Sequence, residues 1–280
     1  MQQKPPPSLR ASLAERFSDA PDVDAQSDQN DILRHMAAHA SCRAFLPEAV
    51  SMDVLKVLCA TALSSPSKSD LQQRDIVLIQ SPEQRSRISD LVSGQAWVAD
   101  APVIAVFCGN NRRHRLAHEW HDIPFANDHL DAMFNAAADA AIALGAFVTA
   151  ARAVGLGCCP ISAVRNEAEA VSDLLGLPDH VFPFAGLAIG VPRSQPEVSK
   201  RLPISVTCHV DRYGEDGLEN AVRAYDAERA QAQPYAQQRF ADRFGTSDSY
   251  GWSEDKARQY SAPERADFGA FIRRRGFSLD

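Results

Sequence analysis

Apolar and polar positions fall into blocks along the chain, and each block has its own period. The longest apolar block is 131–162, DAMFNAAADAAIALGAFVTAARAVGLGCCPIS, within which 140–151 carries no charged side chain. Alanine is the strongest helix former and Gly155-Leu156-Gly157 is a stop signal, so a central helix is predicted. A helix apolar on nearly all faces is buried on nearly all faces. The charge-free stretch is shorter than the roughly 20 apolar residues that cross a bilayer. It therefore reads as a core helix, either shared with a second subunit or interior to a monomer. Its exit, GLGCCPIS, reads as an abrupt turn that can hold a flat ligand against main-chain groups.

The remaining blocks are shorter. Residues 31–40 (DILRHMAAHA) have helical spacing, with Asn30 or Asp31 as cap. A second helix, MDVLKVLCATAL, starts at Ser51 or Asp53, places Leu55, Leu58, Cys59 and Ala62 on one face, and ends in the polar loop SSPSKSD. Strands are predicted at 75–79, 103–108, 184–190 and 205–210, and helices at 81–93 and 166–175, the latter closed by Gly176 and Pro178. Residues 211–251 are polar with two helical patterns, and 254–276 ends in a basic helix. The first 28 residues contain Pro-Pro-Pro and little apolar content, which predicts a flexible extension. The expected organisation is one domain over 29–280, with an excursion at about 212–252. Strict βαβ alternation is missing, which favours an α+β, three-layer domain.

Composition narrows the function classes. The 280 residues are 45% apolar and 23% charged, as in soluble globular proteins. A net charge of −7 argues against nucleic acid as a partner but leaves room for a small phosphorylated ligand. None of the six cysteines forms a Cys-x-x-Cys pair, which suggests reduced thiols in a cytosolic protein. The N-terminus lacks the apolar core of a secretion signal. His114, His118 and His121 share a helical face at metal-ligand spacing. Glu119 is misplaced for H-E-x-x-H, and Arg112, Arg113 and Arg115 would repel a cation, so a surface helix or loop is the better reading. G-x-S-x-G and Walker motifs are absent from the sequence, and the GLG turn follows a helix instead of the strand a dinucleotide site needs. Four weak clusters remain: His39, Ser41 and Arg43; Ser65, Ser67, Asp70 and Gln72; Pro160, Ile161 and Ser162; Lys200 and Arg201. Together they can hold a phosphate, a polar ring edge and an apolar ring face. Singly, each also reads as solvated surface.

The succession HASCRAF, SSPSKSDLQ, ADAPVIAVF, GLGCCPIS, GLAIGVP, KRLP, HVDRY and WSED, in this order from about residue 31 to the C-terminus, resembles the nitroreductase family. The likeness is greatest to the group of oxygen-insensitive NADPH nitroreductases and flavin reductases. It implies a mixed, mainly antiparallel sheet flanked by helices in an intertwined homodimer, with FMN at the subunit interface. By the same resemblance His39 and Ser41 lie on the FMN phosphate, Arg43 at the pyrimidine edge, and Ser65, Ser67, Asp70 and Gln72 in the cofactor loop. Pro160, Ile161 and Ser162 come beside the ring, and Lys200 and Arg201 on the phosphate. Arg239 and Arg243 would meet the 2′-phosphate of NADPH. Several positions depart from the family pattern. Ala40 replaces an Arg, Asp70 stands where many members have Asn, Ser199 occupies a Lys position, and Ser162 and Ala163 replace glycines. The implied activity is ping-pong hydride transfer from NADPH or NADH through FMN to nitroaromatics, quinones or free flavin, with Arg43 stabilising the reduced flavin and no side-chain acid or base. The alternative is a flavin-binding protein on the same scaffold without NAD(P)H reductase turnover.

Overall fold

Among the described residues the chain forms four strands, β1 (Arg74–Ile79), β2 (Val103–Asn110), β3 (Gly157–Ile161) and β4 (Val181–Gly190). They form one sheet in the order β1-β2-β4-β3, and every neighbouring pair is antiparallel. The computed structural model describes residues 6–92 and 94–280. The chain divides into two units, one reaching to Ala40 and taking up Glu197–Glu264, the other spanning Ser41–Pro196 and Arg265–Asp280.

The sheet belongs to the second unit. Helices are numbered along the chain. On one face lie α4 (Met52–Leu63) and α7 (Leu130–Ala153), burying Val103, Ala105, Phe107, Leu187 and Ile189. The other face, with Ile104, Val106, Cys108 and Ala188, packs with Ile88 of α5 (Pro82–Leu91) and Val171 of α8 (Ala168–Leu175). Side chains alternate across a strand, so β2 is buried along its whole length between two helical layers. The predicted helix 81–93 thus ends earlier, at Leu91, and its position 93 lies outside the described residues. Helix α6 (Arg112–Trp120) follows β2, and α13 (Phe268–Arg274) packs Phe271 and Ile272 with Ala132, Ala136 and Phe182.

Helix α7 corrects two expectations. The charge-free stretch is short, yet the helix is 24 residues long, enough by length and composition to cross a bilayer. Its packing assigns it to the core instead: a stripe including Ala136, Asp139, Ala140, Ala143 and Phe147 is buried, and the Phe147 ring meets Phe107 edge-on at 5.7 Å. Burial covers only that stripe, because Leu130, Phe134 and Ile142 remain exposed in the single chain. Beyond it, the turn at Gly155 (φ +88°) is followed by a strand, β3, where a turn alone was predicted. Gly157 has no room for a side chain there, since a Cβ would meet the Cys42 sulfur at 2.7 Å.

The first unit holds α1 (Leu9–Arg16), α2 (Ala25–Asp28), α3 (Asp31–Ala37), α9 (Ile204–Thr207), α10 (Leu218–Ala232), α11 (Ala241–Phe244) and α12 (Trp252–Gln259). Of the segment 1–28, expected as a flexible extension, Leu9–Arg16 and Ala25–Asp28 are helical, and residues 1–5 lie outside the described residues. Ser8 and Asp24 cap α1 and α2, and Leu9 and Arg16 are buried. The strand expected at 205–210 is also replaced, by α9. Its β-branched residues suggested a strand, but the Asp19 carboxylate accepts the Ile204 and Ser205 N–H groups at 2.7 and 2.9 Å and fixes a helical turn.

Candidate functional site

The loop holding Ser65, Ser67, Asp70 and Gln72 joins α4 to β1 in a conformation that few sequences hold unaided. Ser69, Asp70 and Gln72 have φ of +50°, +57° and +51°. For residues with a Cβ this left-handed region is costly and persists only where surroundings impose it. The imposing group is Asp139, fully buried on α7. It accepts the Lys68 N–H at 2.9 Å and the Gln73 N–H at 2.8 Å, and pairs with Arg74 at 3.6 Å. Arg74 in turn donates to the Leu63 and Ser65 carbonyls, both at 2.8 Å. Arg113 of α6 donates to the Gln72 carbonyl at 2.8 Å and pairs with Asp75 at 2.5 Å. Inside the loop, Ser67 Oγ accepts the Gln72 N–H at 3.3 Å and the Gln72 amide donates to Asp70 at 3.2 Å. The Asp70 carboxylate is thereby an acceptor with a partner within its own loop.

β1 begins, β2 ends and β4 begins at one end of the sheet, and β3 runs toward that end. The loop and the residues 160–162 that close β3 therefore lie toward the same end. On β3, an edge strand where proline is tolerated, Pro160 is exposed, Ile161 points into the core and Ser162 is exposed. Ile161 can meet a ligand only through its backbone. Ser41 and Arg43 converge on the same strand. Burial pushes the Cys159 thiol up, while the Arg43 charge and hydrogen bonds from Ser41 and Arg43 act in the opposite sense. The exposed Arg43 guanidinium also stands 5.9 Å from the centre of the Trp97 ring.

In the first unit, His39 meets the segment of Lys200 and Arg201. The buried Arg16 guanidinium donates to the Ala37 carbonyl at 3.1 Å, to the Ser199 carbonyl at 3.3 Å and to the His39 carbonyl. The Arg201 N–H returns to the Arg16 carbonyl at 2.8 Å. Lys200 pairs with Glu228 at 2.5 Å, and Arg201 donates to Ser199 Oγ at 2.5 Å. Arg239 is committed elsewhere, paired at 3.1 Å with Asp255, a carboxylate buried to 1%. Arg243 is exposed, donates to the Ser261 carbonyl at 3.3 Å and lies 4.8 Å over the Phe244 ring. His118 of the histidine-rich segment is engaged by the Ile123 carbonyl at 3.0 Å and by the edge-on Phe125 ring.

Residues 36–191 match the sequence model of the Nitroreductase family, and residues 199–280 match that of the Nitroreductase family, C-terminal domain. This chain belongs to the nitroreductase family. It is 31% identical over 254 residues to an FMN reductase [NAD(P)H] of Bacillus subtilis, covering 90% of this chain and 99% of that protein. It is 34% identical over 178 residues to an oxygen-insensitive NADPH nitroreductase of Salmonella typhimurium, covering 64% and 72% of the two chains. Among solved structures, NfrA2 of B. megaterium superposes with a TM-score of 0.82 at 32% identity, over 90% of this chain and all of that one.

Within this nitroreductase fold, sequence reasoning missed Asp139, Arg74, Arg113 and Arg16. Asp139 had a signal: it is the one acidic residue in the middle of an otherwise apolar helix, where a charge is retained only with partners. Arg16 had none, because one arginine in a polar, proline-containing segment is indistinguishable from solvated surface.

Proposed function

We propose that this nitroreductase-family chain is a cytoplasmic, homodimeric, FMN-dependent NAD(P)H oxidoreductase acting on small-molecule acceptors such as nitroaromatics, quinones or free flavin. The observation that carries the reading is the gathering of basic groups within the first unit. Basic groups separated by some 160 residues in sequence, His39 and Lys200–Arg201, are drawn together by Arg16 and suit a phosphate. In the second unit the Arg43 guanidinium lies against Cys159 of β3, a positive charge that suits a ring edge. The names of the relatives, FMN reductase and NADPH nitroreductase, point the same way.

In this reading His39, Ser41, Lys200 and Arg201 hold the phosphate, and Ser65, Ser67, Asp70 and Gln72 form the cofactor loop. Pro160, Ile161 and Ser162 back the ring. Bound there, FMN supplies reversible two-electron chemistry between a reduced nicotinamide and a second acceptor. Arg43 supplies a fixed positive charge at the edge that becomes electron-rich, and such a preorganised charge counts for more in a water-poor site than in solution. Asp70 acts as a partner for Gln72 rather than as a donor to the ligand. Arg243 is the better placed of the two arginines for the NADPH phosphate, since Arg239 already serves Asp255.

The homodimer is supported by the apolar surface that one chain leaves bare. Leu130, Phe134 and Ile142 of α7 and Val54 and Val57 of α4 are exposed, and Val54 and Val57 line a groove of about 460 Å³ with Val50, Leu58, Leu156 and Val191. The cytoplasmic placement is supported by free, buried Cys42, Cys108, Cys158 and Cys159. Initial velocities with NADPH and a nitroaromatic or quinone test the activity. Parallel double-reciprocal lines are expected. FMN binding without any turnover would instead favour the non-reductase scaffold.

A further inference from the structure

Residues 1–35 precede the match to the family's sequence model, and nine-tenths of this chain suffices to cover the whole length of the structural relative. The N-terminal segment carrying α1 and α2 is thus an addition to the family's common core, and its contacts concern the proposed phosphate groups. We propose that Arg16 is a positioning residue for the phosphate of the bound flavin nucleotide, an inference that rests on the functional reading above.

A guanidinium is a planar fork with five donors in fixed directions, so it can tie several carbonyls at once. Arg16 uses this fork on Ala37, His39 and Ser199, and its own carbonyl receives the Arg201 N–H. Three residues further along, Asp19 holds the N–H groups of Ile204 and Ser205. The segment of Lys200 and Arg201 is therefore fastened to the N-terminal addition on both sides. The Tyr225 hydroxyl, donating to the Lys200 carbonyl at 3.2 Å, adds a third tie. Groups held in place before a ligand arrives lose less conformational freedom on binding it. Arg16 also brings a positive charge against the His39 carbonyl, next to Ala40, where the family pattern has an arginine that this chain lacks. Arg16 is 6% exposed and its guanidinium is bonded to backbone, so it acts through the groups it holds.

The test compares FMN with riboflavin, which shares the ring and ribityl chain but has no phosphate. Full-length Arg16→Ala and Arg16→Lys proteins are stripped of flavin, and both affinities are measured by fluorescence quenching. Arg16→Ala is expected to weaken FMN by about tenfold or more, the loss typical of charge-assisted hydrogen bonds, while riboflavin stays within about twofold. Arg16→Lys, which keeps the charge but not the fork, falls between. An unchanged FMN-to-riboflavin ratio in Arg16→Ala overturns the inference, as does an equal loss for both ligands. If Arg16→Ala does not fold, the Lys variant carries the test by the same ratio. Lys200→Ala and Arg201→Ala serve as controls. Should they lower the ratio while the Arg16 variants do not, only this inference fails. Should they leave it untouched, the phosphate assignment fails and takes the inference with it.

Discussion

Replacing Asp139 removes the group on which the cofactor loop hangs. In Asp139→Ala the half-buried Lys68 N–H bond at 2.9 Å and the buried Gln73 N–H bond at 2.8 Å lose their acceptor, and the Arg74 guanidinium, with 4% of its side chain exposed, loses its counter-charge. Breaking one side of a buried ion pair costs about 3–5 kcal/mol, and the stranded N–H groups place this case in the upper half of that range, about 4 kcal/mol. A native stability of about 5–15 kcal/mol makes that a severe loss. It corresponds to a drop of about 10 °C in Tm for a chain of this size. Urea denaturation of Asp139→Ala, Arg74→Met and the double variant checks the magnitude and the coupling. Contacting partners in one network should couple by about 1.5 kcal/mol or more. The loop also leaves its left-handed conformation, so FMN affinity falls in the single variants while the double variant recovers part of the stability. A cost below about 1 kcal/mol for Asp139→Ala, or additivity within about 0.5 kcal/mol, would refute the reasoning.

Other predictions follow from single contacts. Arg243→Ala should raise the KM for NADPH more than that for NADH, whereas Arg239→Ala should chiefly lower Tm by stripping a partner from Asp255; steady-state kinetics and thermal melts separate the two. Burial raises the Asp19 pKa, but hydrogen bonds from Ser205 and Ile204 outweigh it and hold the carboxyl below its ordinary value of 3.8. Its contribution to stability is present above that value and lost as pH falls through the lower folded value, so Asp19→Asn should flatten part of the acid limb of a stability–pH curve. Burial pushes the Cys108 thiol up to about 12 and raises Cys158 as well, while Cys208 is exposed. Native protein should thus show one fast-reacting thiol toward a chromogenic disulfide, and Cys208→Ser should abolish that phase.

Much of the fold is written in local pattern. β1 and β2 are read from apolar runs, α4 and α7 from spacing and alanine content, and the caps Asn30 and Ser51 from residue type, because these features depend on neighbours a few residues away. The misses share a cause. The pattern of α9 predicts a strand, but its helical turn is fixed by Asp19, 185 residues distant in sequence. The helices of the N-terminal segment went unseen because their anchors, the carbonyls of Ala37, His39 and Ser199, carry no sequence signal. The same holds for the site. Its four clusters follow from residue type and from resemblance to the family, but nothing in the sequence says that Asp139 and Arg74 shape one of them or that Arg16 ties His39 to the Lys200–Arg201 segment. Contacts between side chains and distant backbone are invisible to periodicity.

The central claim is that this chain binds FMN and lets a reduced nicotinamide reduce it. The most direct measurement is the absorbance of FMN-loaded protein titrated anaerobically with NADPH. The flavin's visible band is expected to be lost at close to one NADPH per bound FMN and to return on adding a quinone. Protein that takes up no FMN when it is supplied in excess, or bound FMN whose band does not change with NADPH, would contradict it.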